Sequence, residues 1–371
     1  RLRARVSLSM LRRPPRSTPC STPFPYPTLL RTTLETLPPV RQPAEFEPIE
    51  SVLIAYPFGI TYEVIAEMSE DVEVITIVSS QSQANTVENL YQSNGVNTDH
   101  TSYLIAPSDS YWTRDYGPWF IFNQTSDDLE VIDFEYNRPR PNDNNIPYQF
   151  ALNQGLAYTF MDLIHTGGNY MTDGHGISAS TDLVYSENSK TPDEINQTMS
   201  EYLGINTYHV RPDVNGEYIE HIDCWGKFLS PDTILIREVP STHSQYDEIE
   251  DVVDYFENQI SSYGTPYNVV RVYTPDDQPY TNSLILNDKV LVPITGSSWD
   301  DDAINSYQAA MPGYEVLGFT DLSGSPWQST DALHCRTKGI PDREMLYVDH
   351  TPLTYMLPSD SGFPVEATVI A

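Results

Sequence analysis

Five polar positions recur along this chain at nearly constant separation. Asp115 lies in WTRDYGPW, Asn169 in TGGNYMTDG, Asp223 in EHIDCWGKF, Asn282 in YTNSLIL and Cys335 in ALHCRTKG. Successive members are 54, 54, 59 and 53 residues apart. Each stands beside a short apolar run of strand-like composition. A fixed period of this size is the mark of a repeat architecture, in which each repeat is one supersecondary unit stacked on its neighbours. If the repeats close around an axis, the five side chains share one central pocket.

The intervening sequence supports a mixed repeat. Glu50–Tyr56 reads as a buried strand ended by Pro57, and Val72–Val78 as another; Thr61–Asp71 between them has helical spacing. Ser82–Ser93 reads as a helix and Thr101–Pro107 as a strand. Tyr111–Phe122 passes through a polar turn into a hairpin answered by Leu129–Phe134. Thr191–Leu203 carries Pro192 near its start and Gly204 just past its end, the asymmetry of a helix. Ile222–Ile236 reads as two strands around a Ser-Pro-Asp turn. Ser244–Ile260 places Ile249, Val252, Val253, Phe256 and Ile260 at helical spacing. Val269–Tyr273, Ser283–Leu286, Val290–Ile294 and Tyr314–Phe319 read as strands, with a hairpin turn at Asn287-Asp288 and a helix over Asp301–Met311. Strands mixed with helices at about 55 residues per repeat give an α/β repetition, not the all-β period of a WD40 propeller.

The chain has 371 residues, 39% of them hydrophobic, enough for a large core. No apolar run reaches the roughly 18 residues of a membrane span. With 52 acidic and 20 basic residues the formal charge is −32, which repels nucleic acid and anionic membrane and draws cations. Three cysteines, Cys20, Cys224 and Cys335, form no disulfide framework, and the lack of CxxC or a Cys/His cluster removes a zinc site. Residues 1–36 are basic and rich in Pro and Ser, without a period; LRRPPRST…FPYPTLL resembles translated cloning sequence. The expected organisation is a non-family segment over 1–36, artefactual or disordered, a catalytic domain over 37–354, and a tail or start of a missing domain over 355–371. Sequons at Asn123 and Asn196 are compatible with secretion. The compartment stays open between secreted and cytoplasmic, with a lean to secreted.

Several positions carry chemistry. Cys335 lies among polar and charged residues rather than in an apolar run, unlike a structural cysteine. Cys224, next to Asp223 on the expected strand, faces the other way. On that strand His221 and Asp223 share a face, which pairs an imidazole with a carboxylate for acid/base work, although a surface pair has the same pattern. Asp115 beside Trp112 and Trp119 suits a planar cation, the carboxylate supplying paired acceptors and the ring a stacking face; a packed aromatic corner reads the same way. Arg138 and Arg140, in the Pro-rich NRPRPND, face one way if extended and then bind a carboxylate or phosphate; exposed loop arginines are the alternative. His165 and Asn169 read as structural turn residues. Taken jointly, the two aspartates grip a guanidinium, the thiolate attacks its carbon, and the histidine protonates departing ammonia and then activates water.

At these residues the chain resembles the Porphyromonas-type peptidylarginine deiminase and agmatine deiminase family of the guanidino-group-modifying superfamily. The matching motifs are WTRDYGPW, NRPRPND, HTGGNYM, HIDCWGKF, TNS and ALHCRTKG, in family order from Pro38 to Pro352. The resemblance implies a five-fold pseudosymmetric α/β-propeller of the pentein type. It implies Cys335 as a nucleophile passing through a thiouronium, His221 as general acid/base, Asp115 and Asp223 as guanidinium ligands, and Asn282 as support for the cysteine and histidine. It places Trp112 and Tyr218 in the pocket lining and implies no metal or cofactor, calcium included. Arg138 and Arg140 match the pair that recognises the carboxylate of a C-terminal arginine. They point to an arginine peptide or protein rather than to agmatine, though a small guanidino substrate remains the alternative. A non-catalytic guanidinium-binding protein is disfavoured by the intact nucleophile, base and carboxylates, and an amidinotransferase is more remote.

Overall fold

The computed structural model describes residues 5–8, 40–216, 218–349 and 365–370. Cys20, the rest of the N-terminal segment and most of the tail lie outside the described residues. Pro39–Arg343 form one compact unit. The remaining chain, residues 1–38 and 344–371, forms a separate unit. There Arg5–Leu8 pairs antiparallel with Val365–Ile370, which also pairs with Tyr347–Asp349. Of the N-terminal segment 1–36, only this short strand is among the described residues.

The main unit holds five sheets built on one plan: an antiparallel pair, then a helical crossover to a parallel strand. Trp119–Asn123 pairs antiparallel with Leu129–Tyr136, and Ala157–His165 returns parallel to it. Met171–Thr172, Ile177–Thr181 and Thr207–Arg211 repeat the plan, as do Gly226–Ser230, Thr233–Glu238 and Asn268–Tyr273. Leu284–Leu286, Lys289–Pro293 and Glu315–Phe319 give a fourth copy. In the fifth the antiparallel partner comes from the far end of the chain. Lys338–Pro341 pairs with Ile49–Ala55, which continues in parallel to Glu73–Val78 and Thr101–Ile105.

Local sequence explains the crossovers. Helix Pro192–Leu203 starts on a capping box between Thr191 and Glu194 and ends at Gly204, whose φ of 72° suits a residue without a Cβ. Helix Tyr246–Glu257 buries Ile249, Val252, Val253 and Phe256 on one stripe. Each such side chain contributes about 1.5–3 kcal/mol on burial. Helices Tyr62–Asp71, Gln81–Ser93 and Asp300–Ala310 fall within a residue or two of their sequence expectations. Pro141–Asn144, Ile146–Gln154 and Leu183–Glu187 are helical without having been expected.

One expected strand is a turn. Ile222–Cys224 is a single 3-10 turn, and strand begins only at Gly226. The backbone N–H groups of Cys224 and Trp225 bond back to His221 and Ile222, and that of Ile222 donates to Asn169 Oδ1, so no ladder partner is available. His221 and Asp223 therefore do not share a strand face; the turn brings them together instead. The same curl, not strand alternation, sets Cys224 into the apolar core beside Trp225 and Phe228.

Candidate active site

The five recurring positions occupy one structural place. Asp115, Asn169, Asp223, Asn282 and Cys335 each stand two to four residues before the first strand of their sheet's antiparallel pair. The five turns form a circuit, hydrogen-bonded at four of its five junctions. At the fifth, Gly168 lies against the Asp115 carboxylate and its N–H favours the charged form; Asn169 Oδ1 accepts from Ile222 N at 3.2 Å. Thr281 Oγ1 donates to Cys224 O at 2.8 Å, His334 N to Asn282 O at 3.0 Å, and Arg114 N to Cys335 O at 3.1 Å. Asn169 also accepts from Thr181 N, so its side chain is spent on the backbone.

Within this circuit the structure brings Cys335, His221, Asp223, Asp115 and Asn282 together, all buried. Cys335 Sγ accepts from Asn282 Nδ2 at 3.2 Å, and Cys335 N donates to Asn282 Oδ1 at 3.2 Å. The sulfur is 3.9 Å from Asp223 Oδ2. His221 Nδ1 is 3.6 Å from Asp115 Oδ1, beyond hydrogen-bonding reach. A Cβ placed on Gly168 would lie 2.5 Å from His221 Nδ1, 2.6 Å from Asp115 Oδ1 and 3.2 Å from Asp223 Oδ2, so these three groups converge over a glycine.

The electrostatics of the site favour a bound cation. Burial and the nearby Asp223 push the Asp115 carboxyl well above the usual range. Burial, Asp223 and Asp115 likewise hold the Cys335 thiol high, so it rests protonated. Burial drives the His221 pKa down to about 3, leaving a neutral ring. Burial opposes the charge on Asp223 too, but hydrogen bonding and charge from His334 keep its pKa below the ordinary value. Both ring nitrogens of His221, and Asp115 Oδ1, are buried without a hydrogen-bond partner. Buried polar atoms are ordinarily paired, and an orphaned group costs about 1–3 kcal/mol. A planar cation with several N–H groups would satisfy Asp115 and relieve the like-charge field on the thiol.

Access runs through a cavity of about 300 Å³, whose lining includes Trp112, Asp115, Arg138, Arg140, Tyr218 and Asp331. Arg140 lies over the Trp112 ring at 4.4 Å and bonds Tyr136 Oη at 3.2 Å. Arg138 is held loosely, 3.9 Å from Glu187. The loop expected to be extended turns into helix at Pro141, yet both arginines reach the cavity. Tyr218 is 84% exposed and forms rim rather than wall.

Some residues of the site escape sequence reasoning. Arg336, adjacent to the cysteine, is buried and forms two bonds to Asp331 and others to Gly59, Ser325 and Pro326 carbonyls, fastening the loop that walls the cavity. His334 spans Asp223 and Glu45. Glu45 lies 289 residues away, and no local pattern announces it. Adjacency to Cys335 was the available signal for His334 and Arg336. Among the described residues no cluster of His, Cys, Asp or Glu is arranged to hold a metal ion.

A mixed α/β architecture that buries a cysteine, a histidine and two carboxylates together suits hydrolytic chemistry at an electrophilic carbon held by a cationic group. Residues 41–341 match the profile of the Porphyromonas-type peptidyl-arginine deiminase family, and the chain belongs to that family of guanidino C–N hydrolases. A Mycoplasma capricolum protein assigned as an agmatine deiminase is 22% identical over 312 residues, covering 72% of this chain and 83% of its own length. The solved agmatine deiminase of Enterococcus faecalis superposes with a TM-score of 0.72 at 18% identity, over 84% of this chain and 99% of that one. C. jejuni agmatine deiminase gives 0.67 at 16% identity, over 82% and 96%. These likenesses establish the fold.

Proposed function

We propose that this chain hydrolyses the guanidinium of arginine, preferably arginine with a free C-terminal carboxylate, to citrulline and ammonia. The observation that carries the reading is the orphaned set, both His221 nitrogens and Asp115 Oδ1, buried beside a cysteine. Asp115 and Asp223 accept N–H bonds from the guanidinium. The arriving positive charge lowers the cost of a thiolate, so Cys335 passes its proton to His221 and attacks the central carbon. The His221 imidazolium returns that proton to the departing nitrogen, which leaves as ammonia. The remaining thiouronium takes up water deprotonated by the now neutral His221. Collapse of that adduct breaks the C–S bond and forms the ureido carbonyl as the hydroxyl proton passes to solvent, where the released ammonia takes it up as ammonium; His221 returns its own proton to the thiolate. Asn282 positions the sulfur through its paired contacts with Cys335. A closed five-fold propeller places these groups on its axis; the repeated sheet plan, the pairing of Lys338–Pro341 with Ile49–Ala55 and the circuit of bonded turns support it.

Arg138 and Arg140 carry the substrate preference. Two guanidinium groups at the cavity are suited to a carboxylate and repel the free ammonium of agmatine. The agmatine reading draws on the assigned activities of the relatives and on the acidic surface, which steers a dication. Comparing kcat/KM for a peptide ending in arginine with that for agmatine decides between them. A preference for agmatine overturns the carboxylate assignment. Retained turnover in Cys335→Ala overturns the mechanism.

A further inference from the structure

Behind the cysteine, His334 is wedged between two carboxylates. Its Nδ1 is 2.6 Å from Asp223 Oδ2 and its Nε2 is 2.6 Å from Glu45 Oε2. At that separation a hydrogen must lie on each line, since two lone pairs would otherwise be forced together. A neutral imidazole has one N–H and can donate only one of the two bonds. The second proton is therefore on the ring or on one of the carboxyls.

The surroundings decide which. Glu45 Oε1 accepts from Lys227 Nζ at 3.0 Å and from Ile285 N at 3.1 Å, while Oε2 lies 3.0 Å from the Arg114 guanidinium. An acid at Glu45 would waste two cations. Asp223 faces Lys227, His221, Asp115 and Cys335, and its carboxyl is held below the usual range. Burial and the Arg114 charge work against a charged ring at His334 and lower its pKa, whereas Glu45 and Asp223 favour the charge. Only the charged ring makes both short contacts while both carboxylates stay ionised.

We infer that His334, anchored by Glu45, is a positioning residue that carries a proton on each ring nitrogen and fixes Asp223 as an ionised acceptor for the substrate cation. The inference rests on the reading of Asp223 as a guanidinium ligand. The Asp223 oxygen that takes the imidazolium bond also stands 3.9 Å from the Cys335 sulfur, so the relay sets the carboxylate against the reacting atom. It distinguishes the two aspartates. Asp223 is held ionised by the ring, whereas Asp115 has no such partner and its carboxyl is pushed up by burial and by the Asp223 charge.

The test uses the full chain and two readouts. In wild-type protein labelled with ¹⁵N-histidine, long-range ¹H–¹⁵N spectra at neutral pH should show one buried ring protonated at both nitrogens, altered in Glu45→Gln and absent in His334→Gln. A single neutral tautomer at His334 overturns the inference whether or not the protein turns over substrate. In kinetics, losing the imidazolium raises the Asp223 pKa, so the acid limb of kcat/KM in His334→Gln should move up by about one pH unit. Glu45→Gln should move it less, in the same direction. A uniform loss at every pH with an unmoved limb, accompanied only by a lower Tm, would mean that His334 merely supports the fold. Absence of any guanidino turnover in the wild-type protein would refute the proposed function, and the spectra would still decide the state of the ring.

Discussion

Gly168→Ala should destroy activity while leaving the chain folded. The added Cβ would stand 2.5 Å from His221 Nδ1 and 2.6 Å from Asp115 Oδ1, where about 3.5 Å is comfortable, so each group must retreat by roughly 1 Å. Overpacking of this kind costs about 1–3 kcal/mol of stability. Here the offended atoms are side-chain atoms that can swing, and Gly168 does not occupy the left-handed region, so the backbone adds no strain. Catalysis is less forgiving. A shift of about 1 Å in a reacting group costs on the order of 100-fold, near 2.7 kcal/mol of barrier. The methyl also fills space that the cation needs beside both carboxylates. We expect kcat/KM for the preferred guanidino substrate, followed by ureido product and ammonia release, to fall by about 100-fold or more, with a cooperative melt retained. The neighbouring Gly167→Ala is the control. Its Cβ would lie 2.0 Å from the Arg114 carbonyl oxygen, a backbone atom, and should compromise folding itself. A Gly168→Ala enzyme within threefold of wild type would refute the convergence of His221, Asp115 and Asp223 on one substrate group.

Arg138→Ala should lower kcat/KM for a peptide ending in arginine by about 10–100-fold, the worth of one charge-assisted bond, and leave agmatine unaffected or improved in a side-by-side assay. Arg336→Lys should cost about 3–5 kcal/mol in denaturant unfolding, because a point charge cannot replace a planar fork that serves Asp331 and three carbonyls, and KM should rise as the cavity wall loosens. Burial lowers the His165 pKa to about 4 from an unfolded value near 6.5, so the unfolded chain takes the proton first. This group costs nothing above pH 7, removes up to about 3 kcal/mol of stability as pH falls from 6.5 to 4, and adds no further slope below that. His165→Gln should correspondingly reduce proton uptake on unfolding in that window by about one, measured from the pH dependence of urea midpoints.

Much of the site was legible in the sequence because its period is a consequence of the fold. A polar residue precedes the antiparallel pair in each of the five sheets of the main unit, so the spacing of Asp115, Asn169, Asp223, Asn282 and Cys335 follows the repeated sheet plan. The failures are equally physical. Ile222–Cys224 has the apolar look of a strand, but strand needs a ladder partner, and Asn169 takes the Ile222 N–H instead. The NRPRPND arginines reach the cavity although their loop winds into helix at Pro141, a change that local composition does not determine. Tyr218 is among the residues that line the cavity, at its exposed rim, and that degree of exposure depends on what the rest of the chain covers. The bond between Glu45 and His334 joins residues with no periodic relation.

The mechanism requires a covalent bond between Cys335 and the guanidinium carbon. Acid-quenching the enzyme during turnover of its preferred substrate and measuring intact and peptide masses should reveal a transient adduct equal to substrate minus ammonia, on the peptide containing Cys335 and absent in Cys335→Ala, which should also release no ammonia. Steady turnover by Cys335→Ala, or an adduct confined to Cys224, would contradict it.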